Sequence, residues 1–431
     1  FKNNGGFDVV IGNPPYIMED ENKGAFNNLH SHPCYQGKTD IWHLFTGSGL
    51  ELVKEKGVLT YIAKNQWLCS ASASNMRGEI YKKSSLKTIV DFGVNMVFEN
   101  ASQQTMIVTL EKNLNNEIHC IEYFKFAKPI KLKEIKQRIS ENFKNLDGLL
   151  VSRKSIPKDY SKTENLTFSS IEDEVILSKV DAKKNFEFNP KTEIIQGIIG
   201  GPDKAFIINK ERLLNFTHDE KKYIKMLHTN TTRFLTSDTD KYIFYIHKHN
   251  FKSLDNCPNM KKQLIEYQEK LVDRREVKKN SIKWFHLWWP RDENFFIDGA
   301  KIAFASRTKG RSFSFTTQSF YGSRNLFFIK SDRVNLKYIV SLLNSKLMYF
   351  YMNERLKHTG DLLQLDKNQF IRIPLFVADK VHNFEKIVDD IHIAKKNDQD
   401  TSNLEDEIDQ LVYKLYDLTD EEISIVEKAS N

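Results

Sequence analysis

The stretch Phe7-Asp8-Val9-Val10-Ile11-Gly12-Asn13-Pro14-Pro15-Tyr16 decides how the rest of the chain is interpreted. Its first six residues form a short apolar run that predicts a buried β-strand. The two prolines that follow keep the chain extended, and Pro15 has no N–H to donate. Backbone carbonyls and the Asn13 side-chain oxygen are therefore expected at the carboxyl end of a strand, where open α/β sheets bind ligands.

This motif suits the alkylation of an exocyclic amine. The N6 lone pair of adenine is delocalised into its ring, and two acceptors that bond both amino hydrogens favour a more tetrahedral nitrogen. We predict that the Asn13 side-chain oxygen and the Pro14 carbonyl are these acceptors, within a turn completed by Pro15. Tyr16 would stack on a base that has left the duplex. The alternative is a rigid strand-to-loop turn plugged by an aromatic side chain.

The remaining pattern predicts an α/β unit. A mobile loop is expected over 17–39, followed by a helix that Asp40 caps and that ends near Gly57. Strands and helices then alternate, which is typical of an α/β sheet with antiparallel strands at one end. The expected strands cover 58–63, 88–92, 105–110 and 118–124, with a helix over 75–83.

Composition and charge divide the chain into four predicted segments. They are a catalytic domain (1–125), a Lys-rich connecting region (126–190), an α+β domain with a helix over 336–356 (191–380) and a helical tail (381–431). The net charge of +7 hides 34 basic against 20 acidic residues in 191–380, and 5 against 14 in the tail. The basic excess predicts a nucleic-acid partner. The acidic amphipathic tail is a candidate for a helix-mediated contact with another protein.

One basic stretch, 299–331, contains no acidic residue. Its cations are predicted to contact the DNA backbone, namely Lys301, Arg307, Lys309, Arg311, Arg324 and Lys330. Its aromatic residues alternate, which favours an inward-facing core: Phe304, Phe313, Phe315, Phe320, Tyr321, Phe327 and Phe328. The tryptophans of 284–289 are expected to be core residues or a platform that shapes the surface, rather than residues that stack on bases. Arg291 beside them is a candidate DNA contact.

Several classes of protein do not fit the composition. No apolar run is long enough for a membrane span, and no signal segment leads the chain. The four cysteines form no CxxC pair, which predicts a reduced cytoplasmic location without a zinc knuckle or disulfides. The scattered histidines have no convincing ligand spacing, so no metal site is expected.

Several segments of the chain resemble gamma-class N6-adenine DNA methyltransferases of the type IIG restriction–modification kind. Residues 7–16 resemble motif IV of that family, 57–63 and 89–93 its next strands, and Val97-Phe98 the motif whose phenylalanine sandwiches the flipped adenine against Tyr16. The segments 196–206, 342–347 and 408–416 resemble parts of a TaqI-like target-recognition domain and the C-termini of type IIG enzymes.

The resemblance implies methyl transfer from S-adenosylmethionine to N6 of adenine in double-stranded DNA. It also implies a fold, namely the C-terminal half of a Rossmann-like methyltransferase domain, an α+β target-recognition domain and a helical tail.

One part of the family pattern is not found. The cofactor motif of the family is a Gly-rich turn upstream of Asn-Pro-Pro-Tyr, and only twelve residues precede Asn13. Phe45-Thr46-Gly47-Ser48-Gly49 has similar letters but lies in a predicted helix, so we interpret it as a decoy. We therefore expect a truncated chain that binds DNA, lacks the cofactor motif and is inactive alone.

Two other interpretations stay open. One is a DNA-binding specificity module without catalysis. The other is a protein glutamine N-methyltransferase, a family that also uses an Asn-Pro-Pro-Tyr loop, although the basic 191–380 region argues against it.

Overall fold

The computed structural model describes residues 5–98, 104–115, 117–126, 128–236, 238–359, 362–379 and 381–430. The helices in these ranges are α1 (Trp42–Leu52), α2 (Ser74–Lys83), α3 (Leu132–Ser140), α4 (Ile171–Ala182), α5 (Asp203–Phe206), α6 (His218–Lys221), α7 (Pro258–Ile265), α8 (Gln268–Val272), α9 (Arg275–Lys278), α10 (Leu336–Asn344), α11 (Lys346–Arg355), α12 (Lys367–Phe370), α13 (His382–Lys396), α14 (Ser402–Leu415) and α15 (Asp420–Ser430).

The strands are β1 (Phe7–Gly12), β2 (Val53–Lys64), β3 (Ser84–Asp91), β4 (Thr105–Lys112), β5 (Ile118–Phe126), β6 (Leu149–Pro157), β7 (Ile194–Gln196), β8 (Ile207–Asn209), β9 (Ile224–His228), β10 (Lys241–Phe244), β11 (Lys301–Ala305), β12 (Arg307–Thr308), β13 (Ser314–Thr316), β14 (Tyr321–Gly322), β15 (Leu326–Ile329), β16 (His358–Thr359) and β17 (Leu362–Gln364). The chain divides into two compact units, residues 1–177 with 353–361 and residues 178–352 with 362–431.

The first unit is built on a six-stranded sheet of order β1-β2-β4-β3-β5-β6. β1 pairs parallel with β2, and β3 pairs parallel with β5, whereas β4 and β6 run against their neighbours. The strands β1, β2, β3 and β5 therefore end at one shared edge of the sheet. The apolar faces of β2, β4 and α2 meet in a core that includes Trp42, Trp67 and Tyr81.

The strands predicted from the sequence are present, but three other expectations for this unit were wrong. The helix predicted from Asp40 to Gly57 ends at Leu52, because β2 begins at Val53, which pairs with Phe7 of β1. The loop 17–39 is packed rather than loosely attached, since Phe26 and Cys34 are fully buried. The connecting region 126–190 is not separate, because its strand β6 pairs with β5 over nine residue pairs.

The second unit contains two four-stranded sheets, β14-β9-β10-β8 and β13-β11-β15-β7. All seven aromatic residues of 299–331 are buried, which confirms that they form core. The helix predicted over 336–356 is interrupted at Ser345 and forms α10 and α11. The tail forms α13, α14 and α15, and α10 packs against α13 and α14.

Within the described ranges, no helix is both long and apolar enough to cross a bilayer, and no cluster of acidic, His or Cys side chains could hold a metal ion. The four cysteines are free thiols.

Candidate active site

The Asn-Pro-Pro-Tyr motif leaves the sheet directly after β1, at the edge where four strands end. The side chain of Asn13 is exposed, whereas Pro14 is buried beneath it. Gly12 lies beside the ring of Tyr61, where an added Cβ would come within 3.1 Å of it. The turn therefore presents the Asn13 amide outward on a buried proline support.

Tyr16 is fixed to the neighbouring strand. Its hydroxyl lies 2.9 Å from the Ile62 carbonyl of β2 and 3.2 Å from the Asn13 side-chain oxygen. Burial, followed by the charge of Asp40, raises the pKa of Tyr16 to about 12. The phenol therefore stays protonated near neutral pH, and it can donate its single hydrogen to the Ile62 carbonyl while the Asn13 oxygen keeps lone pairs for another donor.

Phe98 lies half-buried on the segment that follows β3, and its neighbour Val97 packs into a small apolar cluster. Residues 99–103 lie outside the described part of the chain. Because β2 and β4 lie between β1 and β3, the two strand ends are about 14 Å apart at the usual strand spacing. An aromatic sandwich between Tyr16 and Phe98 thus requires the segment after β3 to reach back across two strands, and it stays a prediction.

A cavity of about 390 Å³ opens at the same edge, beside the ends of β2, β3 and β5. Its polar wall includes Asn65, Gln66, Asp91 and Tyr123, and the Tyr123 hydroxyl donates to Asp91 over 2.9 Å. Glu354 also lines the cavity, and burial raises the pKa of its carboxyl. The sequence signal for this cavity was slight, because its walls come from segments as far apart as Asn65 and Glu354.

The segment Phe45–Gly49 is helical, as predicted, and lies inside α1. An added Cβ on Gly47 would come within 2.7 Å of the Cys34 sulfur, and one on Gly49 within 2.7 Å of the Tyr61 hydroxyl. These glycines permit close packing of α1 and do not line a turn that could cradle a ligand.

The six cations predicted to contact DNA do not share one environment. Arg307, Lys309 and Arg324 are exposed. Lys330 is half-buried and donates to the Asn294 carbonyl over 2.7 Å. Lys301 is fully buried and donates to the Gln318 carbonyl, so it cannot reach a phosphate in this arrangement.

Arg311 is also engaged inside the protein. It donates to the Asn344 carbonyl over 3.1 Å and lies 3.6 Å from Asp409. The absence of a local acidic residue in the sequence was therefore misleading, because the counter-charge comes from α14 of the tail. Asp409 and Asp406 also pair with Lys346, so the acids of α14 neutralise cations of their own unit. A helix-mediated contact of the tail with another protein stays a prediction.

Two of the tryptophans, Trp284 and Trp288, are partly buried, whereas Trp289 is 44% exposed. The Arg291 guanidinium lies 5.8 Å from the centre of the Trp289 ring and donates to the Gly197 carbonyl. Trp289 is therefore not a core residue, and its role as a platform that shapes the surface stays a prediction. A contact of Arg291 with DNA stays a prediction.

The chain is similar to known proteins along most of its length. Residues 1–98 match the family of the Eco57I restriction-modification methylase, and residues 256–375 match the TaqI-like C-terminal specificity domain. The type II methyltransferase M.BstVI of Geobacillus stearothermophilus is 21% identical over 448 residues, which cover 98% of this chain and 75% of that protein. M.HindII of Haemophilus influenzae is 22% identical, with 89% and 78% covered. These homologues are type II DNA methyltransferases of restriction–modification systems.

The fold of this chain is also similar to that of a solved structure. The type IIL restriction–modification enzyme MmeI, solved in complex with DNA, aligns with a TM-score of 0.64 at 12% identity. The alignment covers 96% of this chain and 55% of MmeI, so the chain spans about half the length of that enzyme.

Proposed function

We propose that this chain supplies the adenine-binding half of the active site and the DNA-recognition domain of an N6-adenine DNA methyltransferase. The observation that carries the proposal is the geometry of Asn13–Tyr16, an exposed amide on a buried proline support at the carboxyl edge of the sheet. The similarity to type II methyltransferases of restriction–modification systems supports the reaction class. The finer assignment to adenine N6 rests on the chemistry of the motif.

In the proposed reaction the Asn13 side-chain oxygen and the Pro14 carbonyl each accept one hydrogen of the adenine amino group. These bonds draw the nitrogen lone pair out of conjugation with the ring, so that it can bond to the methyl carbon of a sulfonium donor while the carbon–sulfur bond breaks and the thioether leaves. The methylated nitrogen then loses one amino hydrogen as a proton to solvent. A Tyr16 hydroxyl that donates to Ile62 does not compete for the Asn13 oxygen. The neutral phenol of Tyr16 is an anchor and a stacking surface in this scheme, not a base.

S-adenosylmethionine is the proposed methyl donor. The Phe45–Gly49 segment does not offer it a fitting cradle, because its glycines are packed against Cys34 and Tyr61. β1 carries an apolar face that is open to solvent, with Phe7, Val9 and Ile11 51%, 60% and 79% exposed. An apolar strand face of this kind is normally covered. We propose that a cofactor-binding part of the enzyme covers it.

The test is methylation of duplex DNA by the full-length protein, followed by nucleoside mass spectrometry. Asn13→Ala should lower the rate of N6-methyladenine formation by about 100-fold or more, the range seen when one positioned polar group is removed. The exposed Asn115→Ala serves as the control and should retain the wild-type rate. Unchanged methylation by Asn13→Ala would favour a specificity module without catalysis.

The cofactor assignment has a separate test. Isothermal titration of the isolated chain with S-adenosylmethionine should show no binding in the micromolar range. A micromolar dissociation constant would overturn the proposal that the cofactor site lies outside these residues.

A further inference from the structure

A buried ion pair lies directly beneath the Asn-Pro-Pro-Tyr turn. The Asp40 carboxylate and the Lys64 ammonium are 2.7 Å apart, with side chains only 4% and 13% exposed. Lys64 is the last residue of β2, and Asp40 lies two residues before α1. A buried ion pair is weak evidence for stability, because desolvation of both charges offsets their attraction. Its geometry points to another role.

Each oxygen of Asp40 has a different partner. Oδ2 accepts from Lys64, and Oδ1 accepts from the backbone N–H of Ile17, 3.1 Å away, the residue directly after Tyr16. The Ile17 carbonyl in turn accepts from the N–H of Ile41 over 2.9 Å. Both backbone groups of Ile17 are therefore held by residues 40 and 41, and the chain cannot shift at this point without breaking two bonds.

Lys64 reaches Tyr16 from the other side. Its ammonium lies 5.5 Å from the centre of the Tyr16 ring, within the range of a cation–π contact. The Tyr16 hydroxyl lies against the carbonyl of Ile62, two residues earlier on the same strand. One strand thus holds the ring at its hydroxyl and at its face, while Asp40 holds the backbone that follows.

We propose that Asp40 and Lys64 are positioning residues for methyl transfer, which fix Tyr16 and thereby the Asn13 amide beside it. This inference rests on the proposed function. Neither residue contacts the substrate in this scheme. Because a misplacement of about 1 Å can cost about 100-fold in rate, the pair should act on the chemical step more than on DNA affinity.

The experiment is single-turnover methylation by the full-length protein, with DNA affinity measured in parallel. Lys64→Met leaves Asp40 buried without its cation, and we expect the methyl-transfer rate to fall about 10- to 100-fold while the DNA dissociation constant changes less than about twofold. Lys64→Arg keeps the charge and should recover most of the rate. The double variant D40N/K64Q should also recover it, because the amide oxygen of an Asn at 40 can still accept from the Ile17 N–H, while its NH2 group donates to the side-chain oxygen of a Gln at 64. Lys54 lies on β2, like Lys64, but its ion pair with Asp8 of β1 is exposed. Lys54→Met is therefore the matched control and should be neutral.

A wild-type rate for Lys64→Met, or a double variant as slow as Lys64→Met, would overturn the inference. Hydrogen exchange supplies a readout that needs no activity and compares two Asp40 variants. Exchange of the peptide over 13–18 should be faster in Asp40→Ala and near wild type in Asp40→Asn, and equal exchange in both would also overturn it. If the wild-type protein methylates no adenine, the proposed function fails, whereas the exchange result still decides whether Asp40 holds the turn.

Discussion

Removal of exposed cations of the second unit should reduce the salt dependence of DNA binding, whereas removal of a buried cation should not. Each phosphate contact contributes about 0.9 to the slope of log K against log salt concentration. Arg307 and Arg324 are exposed, so R307Q/R324Q should reduce that slope by about 1.8 if both contact phosphate. If such contacts contribute nothing at 1 M salt, the same change weakens binding about 30-fold at 0.15 M salt.

Lys301→Met is the contrasting variant. Lys301 is fully buried, it donates to the Gln318 carbonyl, and burial lowers its pKa to about 8. Removal of its charge should leave the salt slope within about 0.3 of the wild-type value, well below the 0.9 expected for one contact.

Fluorescence anisotropy with a duplex carrying the recognition site, titrated at several salt concentrations, measures both slopes. Thermal unfolding of each variant establishes that it is folded. Equal losses of slope for Lys301→Met and for R307Q/R324Q would show that burial does not determine which of these cations contact DNA. An unchanged slope for R307Q/R324Q would show that Arg307 and Arg324 do not contact the DNA phosphates.

Three further predictions concern stability and are read from urea unfolding. His43 is buried, and its pKa is lowered to about 3 by burial first and then by Arg77 and Lys64. As the pH falls, the unfolded chain therefore protonates His43 at a higher pH than the folded protein does. Between pH 6.5 and 5 the wild type should therefore lose about 2 kcal/mol more unfolding free energy than His43→Gln, and equal losses would contradict this. Gly49→Ala should destabilise by about 1–3 kcal/mol, because its Cβ would come within 2.7 Å of the Tyr61 hydroxyl. Gly78→Ala in α2 should be neutral or stabilising, because its Cβ would meet only the Lys162 side chain, 3.2 Å from Cδ at the nearest point. The reverse order would refute the packing argument. The Arg333 guanidinium holds the pKa of Glu193 at about 2, so Glu193→Gln should lower the free energy of unfolding by up to about 3 kcal/mol. Glu187 pairs with Lys184 and is more exposed, so Glu187→Gln should lower it by less than about 1 kcal/mol. Similar losses in the two variants would contradict this.

Local pattern was sufficient for most strands of the first unit. An apolar run before Asn13 predicts β1, and the runs at 88–92 and 105–110 predict β3 and β4. The limits of β2 could not be read this way. Its first four residues, Val-Lys-Glu-Lys, are mostly polar, and β2 begins this early because Val53 pairs with Phe7 of β1. Strand length here depends on a partner that is distant in sequence.

The role of Asp40 illustrates the same limit at the candidate site. An aspartate before an apolar helix is a typical N-cap, and the sequence predicts that role. In the structure its carboxylate accepts from Ile17 and Lys64, and Ile41 occupies the cap position without a side-chain bond. The cap signal depends only on neighbouring residues, whereas the observed partners lie 23 and 24 residues away.

Charge is the property for which the sequence was most easily misread. A net charge of +14 over 191–380 predicts a strongly basic domain, yet part of that charge is neutralised inside the second unit. Asp409 lies near Arg311 and Lys346, and Glu405 pairs with Arg233. These acids belong to α14, which the sequence separates from the basic region as a tail. The charge available to DNA is therefore smaller than the segment total, and a salt slope of about 0.9 per exposed cation measures it more directly than the count of Lys and Arg.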